Sequence, residues 1–188
     1  MPSTLTKLQI FNYALIKIGD ATIASPTENT PRAKTLNTLY DNIRDDLLRR
    51  SPWNFAKKQA SLASNGNTPT YRWLYEYPIP ADMVKLLETE NQWPYEIQGR
   101  LILSDATTPL KITYIARITD ETLFDPMFSN ALQTRLAYEA SLRLTSDLSL
   151  QRVLRAQVTE LETEAKAEDG KEADPREPHT YGWEDARW

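Results

Sequence analysis

The sequence predicts a mainly α, α+β fold: a four-helix bundle, a small antiparallel β-sheet domain inserted into it, and an extended C-terminal tail. Three observations lead there. Apolar residues recur at three- and four-residue steps in four segments, as in helices with one buried face. Between the second and third of these segments lie short stretches rich in β-branched and aromatic residues, several of them alternating. Beyond residue 168 neither period persists. The expected division is therefore 1–56 and 118–168 as the bundle, 57–117 as the β insertion and 169–188 as the tail.

The first helix is expected over 4–18, on Leu8, Phe11, Leu15 and Ile18, with Ser3 or Thr4 as cap and Gly19 just past its end. The second spans 31–50. Thr30 caps it, Pro31 suits its first position, and Leu36, Leu39, Tyr40, Ile43 and Leu47 form the buried stripe. Ser51-Pro52 stops it. With Asn54 extended, Trp53 and Phe55 point to one side and staple the bundle to the first strand, which makes Pro52, Trp53 and Phe55 the bundle–sheet hinge. Residues 57–117 read as one sheet of four to six strands, with Trp73, Tyr75 and Tyr77 on one strand face and Ile112, Tyr114 and Ala116 on another. Asp125-Pro126 opens a third helix, 126–145, carrying Phe128, Leu132, Leu136, Ala140 and Leu144. Ser146 or Asp147 caps a fourth, 147–167, with Leu150, Val153, Leu154, Val158 and Leu161.

Composition removes whole classes of chemistry. The 188 residues include no cysteine and one histidine, His179, so thiol catalysis, zinc–thiolate sites and a Ser-His-Asp relay have no residues to build them. The five glycines, at 19, 66, 99, 170 and 182, stand singly, and no phosphate-cradling loop can be assembled from them. No apolar run approaches the ~20 residues of a membrane span, and the opening "MPSTLTKLQI" lacks the marks of a signal peptide. A soluble intracellular protein is expected, with no cofactor and no metal. Charge is uneven: residues 160–188 hold ten acidic and four basic residues, against sixteen and eighteen in 1–159. A near-neutral body with an acidic tail lacks the basic stripe of a nucleic-acid binder.

Glu88 and Glu90 are the one carboxylate pair with catalytic spacing, about 7 Å apart on a shared strand face, as two carboxylates of a glycosidase would need. Solvated surface carboxylates have the same pattern. The aromatics Trp53, Phe55, Trp73, Tyr75 and Tyr77 would serve as a stacking platform only if basic residues were interleaved, and packing between sheet and bundle is the expectation instead. In the tail, Tyr181, Trp183 and Trp188 are residue types that anchor interfaces; 169–188 either folds back on its own bundle or is a docking segment for a partner, and the docking segment is the expectation.

The motif order goes further than periodicity. "NYALIKIGDATIAS" (12–25), "AKTLNTLYDNIRDDLLRRSPWNFAKKQASLA" (33–63), "YRWLYEYPIPADMVKLLE" (71–88), "YEIQGRLILS" (95–104) and "ITYIARITDETLFDPMFSNALQTRLAYEASLRLTSD" (112–147) form a colinear series. In this series the chain resembles the tail tubular protein A family, the head-to-tail adaptors of short-tailed podovirus bacteriophages. The likeness covers about residues 8–165 and not the tail. It implies a virion structural protein and no enzyme: a dodecameric ring between the portal protein ring and the tail nozzle protein, through which genomic DNA passes without specific binding. It implies helices in the ring wall, the β insertion toward the nozzle, and assembly in the host cytoplasm with no membrane partner. The portal role of Tyr181, Trp183 and Trp188 rests on their aromatic character alone. Two alternatives stand beside it: an adaptor with a muramidase side activity through Glu88 and Glu90, and a cellular helical scaffold.

Overall fold

The computed structural model describes residues 5–172, so the predicted anchors Tyr181, Trp183 and Trp188 lie outside the described residues. Four helices frame six strands in the order α1 (Lys7–Lys17), α2 (Pro31–Arg50), β1 (Lys57–Leu62), β2 (Tyr75–Pro78), β3 (Met83–Thr89), β4 (Tyr95–Gln98), β5 (Leu101–Ser104), β6 (Leu110–Ala116), α3 (Pro126–Leu144) and α4 (Leu148–Glu172).

Local chemistry explains the helix ends. Thr6, rather than Ser3 or Thr4, caps α1: Gln9 N–H donates to the Thr6 hydroxyl at 3.3 Å and Thr6 N–H donates to the Gln9 side chain at 2.8 Å. The helix closes on Gly19 at φ 71°, where Gly19 N–H reaches Ile16 O and Asp20 N–H reaches Leu15 O, both at 3.0 Å. Thr30 accepts from Ala33 N–H and Asp125 from Met127 N–H, and a proline follows each cap. Asp147 accepts from the amides of Ser149 and Leu150 at the start of α4. That helix runs to Glu172, four residues into the segment expected to be tail.

The helices do not form a four-helix bundle, contrary to the sequence expectation. α1, α2 and α4 each pack on α3, which is their common partner. α3 is accordingly buried over nearly its whole girth, from Ala131 through Thr134 on consecutive residues. The stripe of α2 is shared between α3 and a sheet. A periodic apolar face dictates that a helix is covered, not by what.

Nor is the β region one sheet. β1-β6-β3 and β2-β5-β4 are two separate three-stranded sheets, antiparallel throughout, and the chain alternates between them. In the β4–β5 hairpin, Gly99 at φ 60° takes the first position of the two-residue turn, where strand twist calls for positive φ. A single core runs through all the layers, joining Phe11, Leu36, Leu132 and Leu136 of the helices to Ile112 and Ile115 of the first sheet and Tyr77 and Ile102 of the second.

Candidate functional site

Trp53 and Phe55 do lie between α2 and β1, but Asn54 is not extended. Pro52 sits at the centre of a tight turn in which Trp53 N–H donates to Ser51 O at 2.9 Å, and Asn54–Ala56 then forms one 3-10 turn. The two rings meet the start of α3. Trp53 lies edge-on to Phe128 at 5.1 Å, Phe55 is 5.1 Å from Phe128 and 5.9 Å from Phe124, and the Trp53 indole donates to Leu47 O at 2.9 Å. Edge-to-face pairs of this kind contribute about 0.5–1.5 kcal/mol each beyond area burial.

Asp82 forms a second junction. It accepts from Lys58 Nζ at 2.9 Å and from the Tyr114 hydroxyl at 3.1 Å, and its carbonyl accepts from Arg117 N–H. Lys58 beside it holds the Asp82 carboxyl below the usual carboxylate range. Both junctions tie segments together.

Glu88 and Glu90 do not share a strand face. β3 ends at Thr89 and Glu90 opens a 3-10 turn; Glu88 accepts from Thr113 at 3.1 Å and Glu90 pairs with Lys111 at 2.8 Å. Both are exposed beside β6, and neither lines the hollow described next.

That hollow, of about 410 Å³, lies on the second sheet. Glu76 of β2 and Glu96 of β4 both stand opposite Leu103 of the central β5, so they project from the same face with Cα atoms about 10 Å apart, two strand spacings. Trp73 was expected on the face of Tyr75 and Tyr77. It lies on the opposite one, because Trp73 N–H turns back onto Tyr71 O at 2.9 Å around Arg72 at φ 73°, a γ-turn with its central residue left-handed. Its indole donates to Glu96 Oε2 at 3.0 Å, and the Arg72 guanidinium covers its ring at 5.1 Å. Tyr75 and Tyr77 pack together at 6.4 Å beneath, with the Tyr77 hydroxyl donating to Ala106 O. Tyr71, Thr70 and Gln98 complete the rim. Sequence reading did not assemble this grouping, since its members come from two segments, 69–76 and 96–103, that the sheet alone joins. The signal present was the repeated Tyr-Glu-apolar pattern of 75–77 and 95–97, two strands that flank β5 in the same register.

Among the described residues no group of His, Asp and Glu is arranged to hold a metal ion, and no helix is long and apolar enough to cross a membrane. No protein-family model matches the sequence, and no curated protein matches it.

Proposed function

We propose that this chain is the subunit of a head-to-tail adaptor ring of a short-tailed bacteriophage, seated between the portal ring and the tail nozzle. The observation that carries the reading is the colinear motif series over residues 8–165. Elements of that series distant in the chain are in contact: Pro-Trp-Asn-Phe-Ala (52–56) meets Phe-Asp-Pro-x-Phe (124–128) through four aromatic rings, and Tyr-Pro-x-Pro-x-Asp (77–82) ends on the Asp82 junction. Both are contacts between segments distant in the chain, one in the core and one at the surface, the kind of constraint that defines a fold.

Uncovered apolar surface supports a subunit that packs against neighbours. α4 packs chiefly on α3 and leaves Leu148 and Val153 59% and 56% exposed, while Tyr13 and Ile16 form an exposed step on α1. In the ring the helices would form the wall and the β region would face the nozzle. Residues 169–188, with Tyr181, Trp183 and Trp188, would dock on the portal. A near-neutral body with no basic stripe around the channel would let DNA pass without adhering to it.

Light-scattering mass of the purified chain, alone and mixed with the portal ring of the same virus, tests this. Twelve copies bound per portal is the expected result. A folded chain with no affinity for the portal rejects the reading. Truncation after Gly170 then tests the docking segment: it should abolish portal binding, and undiminished affinity removes Tyr181, Trp183 and Trp188 from the interface.

A further inference from the structure

We infer that the hollow on the second sheet is a binding site for a neutral saccharide, with Glu76 and Glu96 accepting hydrogen bonds from sugar hydroxyls and the Tyr71 ring packing on the sugar's C–H face. The inference stands independently of the adaptor reading.

The two carboxylates are the first ground. Glu76 and Glu96 face the same hollow from two strands, and among the described residues neither forms an ion pair. Each has one oxygen occupied by a neutral donor: Asn65 Nδ2 on Glu76 Oε2 at 2.9 Å and the Trp73 indole on Glu96 Oε2 at 3.0 Å. Those bonds fix the carboxylates and leave the second oxygen of each to accept from a ligand. Arg72 is within the same rim but lies on the Trp73 ring instead of neutralising either carboxylate.

The donor set is the second. Arg72, Thr70 and Gln98 line the hollow together with the carboxylates, so it offers both donors and acceptors. A cation would meet the Arg72 guanidinium, and an anion would meet two carboxylates. A polyol, with a hydroxyl that donates and accepts at each carbon, satisfies both. Tyr71, 83% exposed, supplies an aromatic surface beside these groups for the apolar face of a pyranose ring.

The third ground is construction. Trp73 is only 8% exposed, yet Trp73 and Leu103 lie outside the main core. They form a separate floor and wall under the hollow. The γ-turn that carries Trp73 there holds Arg72 in a left-handed backbone conformation that side chains rarely adopt. Asp105 anchors the strand end by accepting from Leu74 N–H at 3.0 Å. A surface loop that merely connects strands has no need of a buried tryptophan held by a carboxylate.

The test is titration of the full chain with cellotriose, mannotriose and chitotriose at millimolar concentrations, read by the indole N–H resonances of its five tryptophans. Trp73→Phe assigns the Trp73 signal by its disappearance. A saturable shift of that signal with at least one sugar is expected, leaving the other four in place. Glu76→Gln and Tyr71→Ala, both at accessible positions, should each weaken the affinity about tenfold, the first by removing a hydrogen bond to a charged group and the second by removing the ring under the sugar. The unmoved resonances of the other tryptophans show that these variants remain folded. No saturable shift with any of the three sugars overturns the inference, as does affinity undiminished in both variants.

Discussion

At the scale of single residues, polar side chains that join distant segments are the most sensitive points. Asp82 links β1, through Lys58, to β6, through Tyr114 and the Arg117 amide. Its folded-state pKa lies below the unfolded value, chiefly through the Lys58 hydrogen bond. Its contribution to stability is therefore complete above the unfolded carboxylate pKa of about 4 and is lost as pH falls through the lower folded value. Asp82→Asn should cost about 0.5–1 kcal/mol at neutral pH, the scale of a partly exposed pair. Urea unfolding of parent and variant should converge at a pH below the folded pKa; an undiminished gap there would show that packing, not charge, sets the cost. Such pairings were not legible in the sequence, because Lys58, Asp82 and Tyr114 share no periodic relation. The rings of Trp53 and Phe55 were legible as anchors, and their target was not: Phe124 and Phe128 are some seventy positions away.

At the scale of elements, local rules worked where both partners of an interaction are near in sequence. The caps at Thr30 and Asp125, the prolines after them and the Gly19 terminus all follow from neighbours within a turn or so. The α1 cap was misplaced although Thr6-x-x-Gln9 carries the reciprocal capping pattern. Gly19→Ala offers a direct check on the terminus. A Cβ there meets nothing within 4 Å, so its cost comes from φ 71° alone. About 1–2 kcal/mol is expected, measured as a lowered urea midpoint with unchanged slope. A neutral substitution would mean that the α1 terminus relaxes to another form. Trp73 marks the limit of such rules: alternation put it with Tyr75 and Tyr77, and the γ-turn at Arg72 shifted it to the other face.

At the scale of the molecule, helices and both sheets share one core, although the sequence divides visibly into helical and β-rich parts. A shared core predicts one cooperative transition. Far-ultraviolet circular dichroism of the helices and tryptophan fluorescence should give coincident urea curves. Trp73 reports the second sheet and Trp53 the α2–α3 junction, so two separated transitions would mean that the β region unfolds on its own. α3 as the common partner also explains why α1 and α4 keep apolar surface: each has one side against α3 and exposed apolar residues on another, whereas the first sheet covers the remaining stripe of α2.

The sequence by itself determined the four helices, their order around a β-rich middle, most of their ends and the buried stripes of the first three, but not that of the fourth, where Val153 is exposed. Those properties depend on side-chain period and on contacts within a turn, which the chain carries locally. Only the tertiary structure decided that α3 is the hub, that the strands form two sheets, and that Glu76 and Glu96 face one hollow across Leu103. Each of these is a choice among partners distant in sequence. Burying an apolar face is favourable against any surface that fits it, so the pattern of one segment cannot name its partner.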